Sequence, residues 1–572
     1  MTISKSKTAT IKLLDQYFTT AFSAPEGIPK LRELILSLAM RGQLVPQNPD
    51  DIPARDLLKD IETEKQRLID EKKLKKSKPL PEITADEIPY DIPDSWQWVR
   101  LGDIFQLKSG YSFSKQDEIE TGDFIYLKVG EMNLVENEIY IKTSSIYLKE
   151  SEKVLSSLIP ANSIIFPKRG GAIATNKKRL VTQPICVDTN IMSMICPRLI
   201  DLQFAYHWIL SIDLARLNSG TSVPQINNKD LNPLLFPLPP LEEQERIVEK
   251  IETLMEKCDR LEKLHQEKEA KRLKIQIAVG DKLLKATDKK GFDDAWQFMR
   301  DNFETIYSVK ENVKQLRQII LQLAVMGKLA PQDDNDKPAQ QLLKDIEAEK
   351  QQLIKEGKIK KQKPLPEITP DEIPYDIPDS WEWVRLGDSM LKVTDGTHKS
   401  PINIQKGDFL YISAKNIKNE GISLDNVTYV TKEIHETIYS RCNPEFGDIL
   451  YIKDGATTGI ATINNLKEQF SMLSSVALIK QPRQIYNKFL LLSLKSPFFY
   501  KEIRADMSGV AITRVTLKKI KAFIVPLPPL EEQRRIVEKV DKMMKLCDEL
   551  EEKITNQTEK QTSLLNALIA QI

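Results

Sequence analysis

Histidine is scarce in this chain. Its four copies, His207, His265, His398 and His435, include no pair at metal-ligand spacing, so no metal centre is expected. Cysteine is almost as rare. Cys186, Cys196, Cys258, Cys442 and Cys547 are odd in number and form no C-x-x-C pair. That excludes a disulfide framework, and buried thiols in a reducing cytoplasm are the expectation. Also absent are a G-x-x-x-x-G-K-[ST] phosphate loop, a G-x-G-x-x-G turn and an Asn/Asp-Pro-Pro-aromatic motif. No cofactor binding and no catalysis are therefore expected of this chain. No run approaches the roughly 20 apolar residues of a membrane span. Residues 1–20 carry lysines but no uninterrupted apolar core, so they do not form a signal peptide. An excess of one charge is missing too. Charged residues make up 29% and sum to a formal +1. Coating nucleic acid through bulk charge is thereby excluded, and any such contact must come from local patches or partners.

What the chain does have is itself, twice. KPLPEITADEIPYDIPDSWQWVRLGD at residues 78–103 returns at 363–388 with only Ala85/Pro370 and Gln97/Glu382 changed. PLPPLEEQERIVEKI at 237–251 returns as PLPPLEEQRRIVEKV at 526–540. A repeat near half of 572 residues predicts four or five structural units, not one core.

Leu31, Leu34, Ile35, Leu38 and Ala39 stand at helical spacing, and a second helix from about Ala54 carries Leu57, Leu58, Ile61, Leu68 and Ile69 on one face. The helical region 28–76 has its twin at 316–361. Prolines 79, 81, 89 and 93 then exclude helix and predict an extended connector. In the following variable stretch, strands are expected at 124–129, 139–141, 163–166 and 191–196, with a helix at 204–217. In its counterpart, strands are expected at 409–412, 448–452 and 476–479, with a helix at 487–504. Between matched flanks the two stretches have diverged, as expected of one scaffold holding two different readers. Residues 241–284 and 530–572 form long amphipathic helices. Ile247, Val248, Ile251, Leu254, Met255, Cys258, Leu261 and Leu264 follow 3–4 spacing in the first, and each helix needs a partner for its stripe.

Three polar, glycine-bearing loops occur at matching places in both variable stretches. They lie at 394–401 and 108–112, at 451–459 and 166–172, and at 508–515 and 219–227. Glycine admits close backbone approach, and the surrounding side chains suit phosphates and base edges. The candidate DNA-binding residues are Asp395, Gly396, Thr397, His398, Lys399, Lys453, Thr457 and Arg514 in the second stretch. In the first they are Lys108, Ser109, Tyr111, Lys168, Arg169, Lys178, Thr221 and Gln225. Lys168 and Arg169 also fit solvated surface charges. The second stretch carries more basic than acidic residues while the first is nearly balanced, so the second should rely more on phosphate attraction.

With GDILYIKDGATTGIA, G-T-x-V-P-x-I, G-V-x-I-T-x-V, PLPPLEEQ-x-x-IVEK and LAVMGKL, the chain resembles the DNA-specificity subunit of type I restriction–modification systems over nearly its full length. The resemblance implies an α+β fold. Two α/β target-recognition domains are joined by long antiparallel coiled-coil helices in an internal pseudo-twofold repeat. The implied division is 1–93, N-terminal helices and linker; 94–240, first target-recognition domain; 241–378, central helices and linker; 379–529, second target-recognition domain; and 530–572, C-terminal helix. Helices 28–76 and 530–572 are expected to meet at one end, and 241–288 and 309–361 at the other. The resemblance also implies double-stranded DNA, two methylation subunits and two restriction subunits as partners in a prokaryotic cytoplasm. S-adenosylmethionine, ATP and magnesium would belong to those partners, with transfer to adenine N6. The first stretch departs from the pattern, with SGYSFSK where the second has DGTHKSP. A coiled-coil scaffold whose α/β modules bind proteins is the alternative, and a stand-alone nuclease or methyltransferase is disfavoured by the missing motifs.

Overall fold

Proline decides where the long helices begin. Strands Leu235–Leu238 and Ile524–Leu527 each run into a proline pair, and helices Leu241–Lys285 and Leu530–Ala570 start directly after it. Proline at a helix start costs nothing, because its missing N–H would have no partner there. The computed structural model describes residues 24, 26–74, 76, 78–217, 223–505 and 514–570. The chain divides into two units: residues 1–267 with 558–572, and residues 268–557.

In the first unit, helices Gly27–Met40 and Ala54–Asp70 pack with the start of the first long helix. The β-rich part holds three sheets. Strand Gln97–Arg100 pairs antiparallel with Leu235–Leu238 and closes the base. A four-stranded antiparallel sheet has the order Gln106–Ser109, Ile191–Ile195, Ser163–Pro167, Arg179–Val181. A three-stranded sheet has Phe124–Leu127 between Tyr147–Leu148 and Cys186–Val187. The second unit repeats this plan with different residues. Glu382–Arg385 pairs with Ile524–Leu527. The four-stranded order is Lys392–Asp395, Val476–Lys480, Ile449–Ile452, Ala461–Ile463. Phe409–Ile412 lies between Thr428–Val430 and Phe470–Met472. One topology thus underlies two diverged sequences.

The repeated PLPPLEEQ motif is an anchor. Glu243 is fully buried and accepts from Trp96 Nε1 at 2.9 Å and Gln47 Nε2 at 2.5 Å. Gln244 accepts the Asp201 amide at 2.9 Å and donates to the Pro239 carbonyl. The second unit copies each bond: Trp381 and Gln332 donate to Glu532, and Gln533 accepts from the Tyr486 amide. Burial pushes both glutamate carboxyls up, while the donated hydrogen bonds pull them back. Arg246 pairs with Asp51, and Arg535 with Asp336. The proline connector is clamped as well. Buried Arg100 bonds both carboxylate oxygens of Glu87 and the Pro81 and Glu82 carbonyls, as Arg385 does with Glu372, Pro366 and Glu367.

The helical regions meet as expected, 28–76 with the end of 530–572 and 309–361 with the end of 241–288. Helix Gly27–Met40 is bonded to the first long helix, with Arg32 on Asp259 at 2.7 Å and Glu262 at 3.0 Å. Such exposed pairs are worth about 0–1 kcal/mol each. The apolar stripe of Leu31, Leu34, Ile35, Ile247, Ile251 and Cys258 carries the packing. Among the described residues of 530–572, the tail residues Leu564, Leu565 and Ile569 join that core. In the second unit Arg317 bonds Asp548 and Glu551, and Val279 and Leu283 from the end of the first long helix share a core with Ile536, Val537, Val540 and Cys547. The start of each long helix therefore shares a core with the end of the other, the order of an antiparallel pair.

Local departures have local causes. The helix expected at 487–504 is two, Asn487–Lys495 and Pro497–Ala505, because Pro497 holds Ser496 extended. The helix expected at 204–217 is Leu202–Ser211 followed by a single 3-10 turn. The strand expected at 139–141 is one bridge, Tyr140 to Leu180. Among the described residues no helix is long and apolar enough to cross a membrane.

Candidate nucleic-acid interface

Strand Lys392–Asp395 ends at a glycine for a steric reason. A Cβ on Gly396 would lie 1.9 Å from the Met472 carbonyl oxygen. The contact lets the Thr397 amide donate to that carbonyl at 2.8 Å. Strand Ile449–Ile452 hands over to Lys453, whose amide donates to Ser475 and whose carbonyl accepts from the Val515 amide at 2.7 Å. Asp454 and Arg514 face each other across a single antiparallel bridge. Three loops therefore meet at one corner of the second unit.

Side chains of alternating charge stitch that corner together. Asp395, 1% exposed, accepts from Arg441 Nη2 at 2.7 Å and lies 3.2 Å from His398 Nε2. Its other oxygen is 3.5 Å from Lys453 Nζ, which reaches Asp454 at 3.1 Å. Asp454 Oδ1 is 3.1 Å from Arg514 Nε. His398, Lys399, Thr457 and Arg514 stand exposed around this chain, with Thr397 half-buried.

The first unit builds the same corner from other residues. A Cβ on Gly110 would lie 2.0 Å from the Asp188 carbonyl oxygen. The Lys168 amide donates to Asn190, its carbonyl accepts from Ile226, and Arg169 bridges Gln225. Lys168 Nζ donates to Ser109 Oγ at 2.7 Å. Lys168 and Lys453 are thus equivalents, as are Ser109 and Asp395, Arg169 and Asp454, and Gln225 and Arg514. Burial, and then the adjacent Arg169 charge, lower the Lys168 ammonium below its ordinary range. Tyr111 is 46% exposed, with Lys153 Nζ 5.1 Å from its ring centre.

Several expected contacts are corrected by burial. Lys178 is 1% exposed and spends its ammonium on Asn176 Oδ1 and the Ile212 carbonyl; burial pushes it down to about 8. Lys453 and Asp395, 2% and 1% exposed, are internal braces and present no side chain to solvent. Lys108 alternates to the face opposite Ser109 and donates to the Ser156 and Leu158 carbonyls, away from the corner. Gly396 contributes backbone only. Thr221 lies outside the described residues. Sequence reasoning missed Arg441, which reaches the corner from helix Lys432–Arg441, and Lys153; neither sits near a motif. Among the described residues no group of three or more His, Cys, Asp or Glu could hold a metal ion.

The two corner-bearing stretches each match one family model. Residues 93–272 and 378–560 fit the type I restriction modification DNA specificity domain. The chain belongs to that family. It is 33% identical to the type I restriction enzyme EcoAI specificity subunit of Escherichia coli, over 94% of this chain and 92% of that one. It is 30% identical to the EcoEI specificity subunit of Escherichia coli, over 95% and 93%. Among solved structures, the HsdS subunit from Thermoanaerobacter tengcongensis is 19% identical, covering 84% of this chain and 98% of its own, at a TM-score of 0.42. Nothing in these likenesses supports a protein-binding scaffold.

Proposed function

We propose that this chain is the DNA-specificity subunit of a type I restriction–modification complex, and that residues 94–240 and 379–529 are its target-recognition domains. Each reads one half of a bipartite site. The carrying observation is the repeated corner: the same backbone pairings hold different side chains at Ser109/Asp395, Lys168/Lys453, Arg169/Asp454 and Gln225/Arg514. A scaffold kept and a surface changed is what reading two different half-sites requires, so the site is asymmetric. In the first domain the reading surface comprises Ser109, Tyr111, Lys168, Arg169 and Gln225. In the second it comprises Thr397, His398, Lys399, Thr457 and Arg514, with Arg441 added. The long helices set the spacer and, with the helical regions 1–93 and 241–378, dock two methylation subunits. Two restriction subunits complete the cleaving complex. S-adenosylmethionine, ATP and magnesium belong to those partners, and the complex works in a prokaryotic cytoplasm.

The test is a binding selection from random duplex pools, with and without a methylation subunit, followed by methyl-transfer assays. An asymmetric bipartite site and transfer to adenine N6 only when the methylation subunit is present are the expected results. Methyl transfer by the rigorously purified single chain, or a palindromic selected site, would overturn the reading.

A further inference from the structure

The four equivalent corner positions carry different charge in the two units. In the first they are Ser109, Lys168, Arg169 and Gln225, with two positive charges and no negative one. In the second they are Asp395, Lys453, Asp454 and Arg514, two of each sign. The contacts follow the charges. Lys453 is 2% exposed and held between two carboxylates, whereas Lys168 stays half-buried against a single hydroxyl. At these four positions this reverses the order that whole-domain composition gives; the basic residues of the second domain stand around them, Arg441 and Lys399 included.

The arginines differ in the same way. Arg514 is 60% exposed, and its Nε sits 3.1 Å from Asp454 Oδ1. The contact is an ion pair without a hydrogen bond, since Asp454 Oδ1 has no hydrogen-bond donor; the opposite charge holds the exposed guanidinium at the corner. An exposed, planar guanidinium suits the bidentate contact to guanine O6 and N7, and holding it at the corner in advance lowers the ordering cost. Arg169 faces Gln225 across the equivalent bridge. The Gln225 amide brings no charge to orient it and is itself directed to Asn227 Oδ1 at 3.0 Å. Two adjacent cations with no carboxylate at these positions suit the spread negative charge of a phosphodiester, which makes no demand on angle.

We propose that this corner has divided its work: Arg514, held at the corner by the Asp454 charge, reads a guanine in the half-site of the second domain, while Lys168 and Arg169 grip backbone phosphate beside the half-site of the first. The assignment rests on the DNA-reading function proposed above. Asp454 acts as a positioning residue, and Lys453 with Asp395 form the neutral floor beneath it.

The experiment uses the full chain in complex with methylation subunits. Base preference comes from selection on duplexes randomised in both half-sites, and affinity is measured across a salt series. Arg514→Lys keeps the charge and loses the planar fork, and Arg514→Gln removes both. Each should cut discrimination at one guanine–cytosine pair of the second half-site roughly tenfold or more. Arg514→Lys should leave the salt slope unchanged. Asp454→Asn should weaken the same preference at the same pair and no other. Lys168→Ala with Arg169→Ala should weaken all sequences alike and lower the salt slope by about 1 to 2, at ~0.9 per phosphate. Arg514 and Arg169 are exposed, so the substituted chains keep their fold, which unchanged urea midpoints verify. Unaltered base preference in Arg514→Lys overturns the guanine assignment. Relaxation of a single base pair in the first half-site by Arg169→Ala overturns the phosphate assignment. A wild-type complex that selects no bipartite site would instead sink the DNA-reading function itself, a separately visible result.

Discussion

Lys178 is a cation placed where water cannot reach it, and its pH response should show that. Burial lowers its folded-state pKa to about 8, against 10.5 ordinarily. Between those values the unfolded chain binds the extra proton, so stability rises with pH across that window and is lowest below it. Lys178→Met should flatten the rise between pH 8 and pH 10 in urea unfolding followed at several pH values; a wild-type curve already flat there would refute the assignment. Glycine gives a second prediction at this scale. Gly396→Ala and Gly110→Ala each place a methyl about 2 Å from a carbonyl oxygen, and backbone must part to admit it. A loss above roughly 2 kcal/mol is expected from either. Gly171→Ala, with nothing within 4 Å and no positive φ, should stay within about 0.5 kcal/mol. The sequence revealed these loops through their glycines and charges. It did not reveal which charges face inward. Asp395 and Lys453 look like surface residues until Arg441, 46 positions from Asp395, closes over the carboxylate.

Among elements, the join between each reader and its long helix is the most demanding. Two donors satisfy each buried glutamate there. Trp96→Phe keeps the ring and removes one of them, leaving Glu243 to Gln47 alone. The expected cost is roughly 1–3 kcal/mol. Trp381→Phe should cost the same through Glu532. The two sites share no partner, so the double variant should add within about 0.5 kcal/mol. Equilibrium unfolding checks all three; a negligible loss in either single variant would show that the motif is no anchor. The PLPPLEEQ repeat made the helix start legible. Its second glutamate and glutamine were not legible as buried, since acidic residues in a first helical turn are ordinarily exposed partners of the helix dipole. The break at Pro497 was missed for the opposite reason: apolar spacing ran on through a residue that cannot continue the hydrogen-bond ladder.

For the whole molecule, duplication was legible because two long segments are nearly identical, and the common sheet order shows that it extends through the stretches that diverged. A ruler made of helix predicts a mechanical result. Deleting four residues within Leu241–Lys285, about 6 Å of rise, should change the selected spacer by nearly two base pairs and leave both half-sites unchanged. Changed half-site bases at constant spacing would contradict the division between ruler and reader. The exchange of helix tails was legible from the duplication, since two equal stripes in a repeated chain are each other's simplest partners. That exchange makes damage travel against the order of the gene. A premature stop after Gln557 would spare the second unit, whose residues 268–557 are unbroken. It would strip Leu564, fully buried Leu565 and Ile569 from the core of the first. Truncating buried Leu565 alone to alanine costs about 2–5 kcal/mol. A lesion at the last codons would thus silence the half-site read by the first domain to be translated.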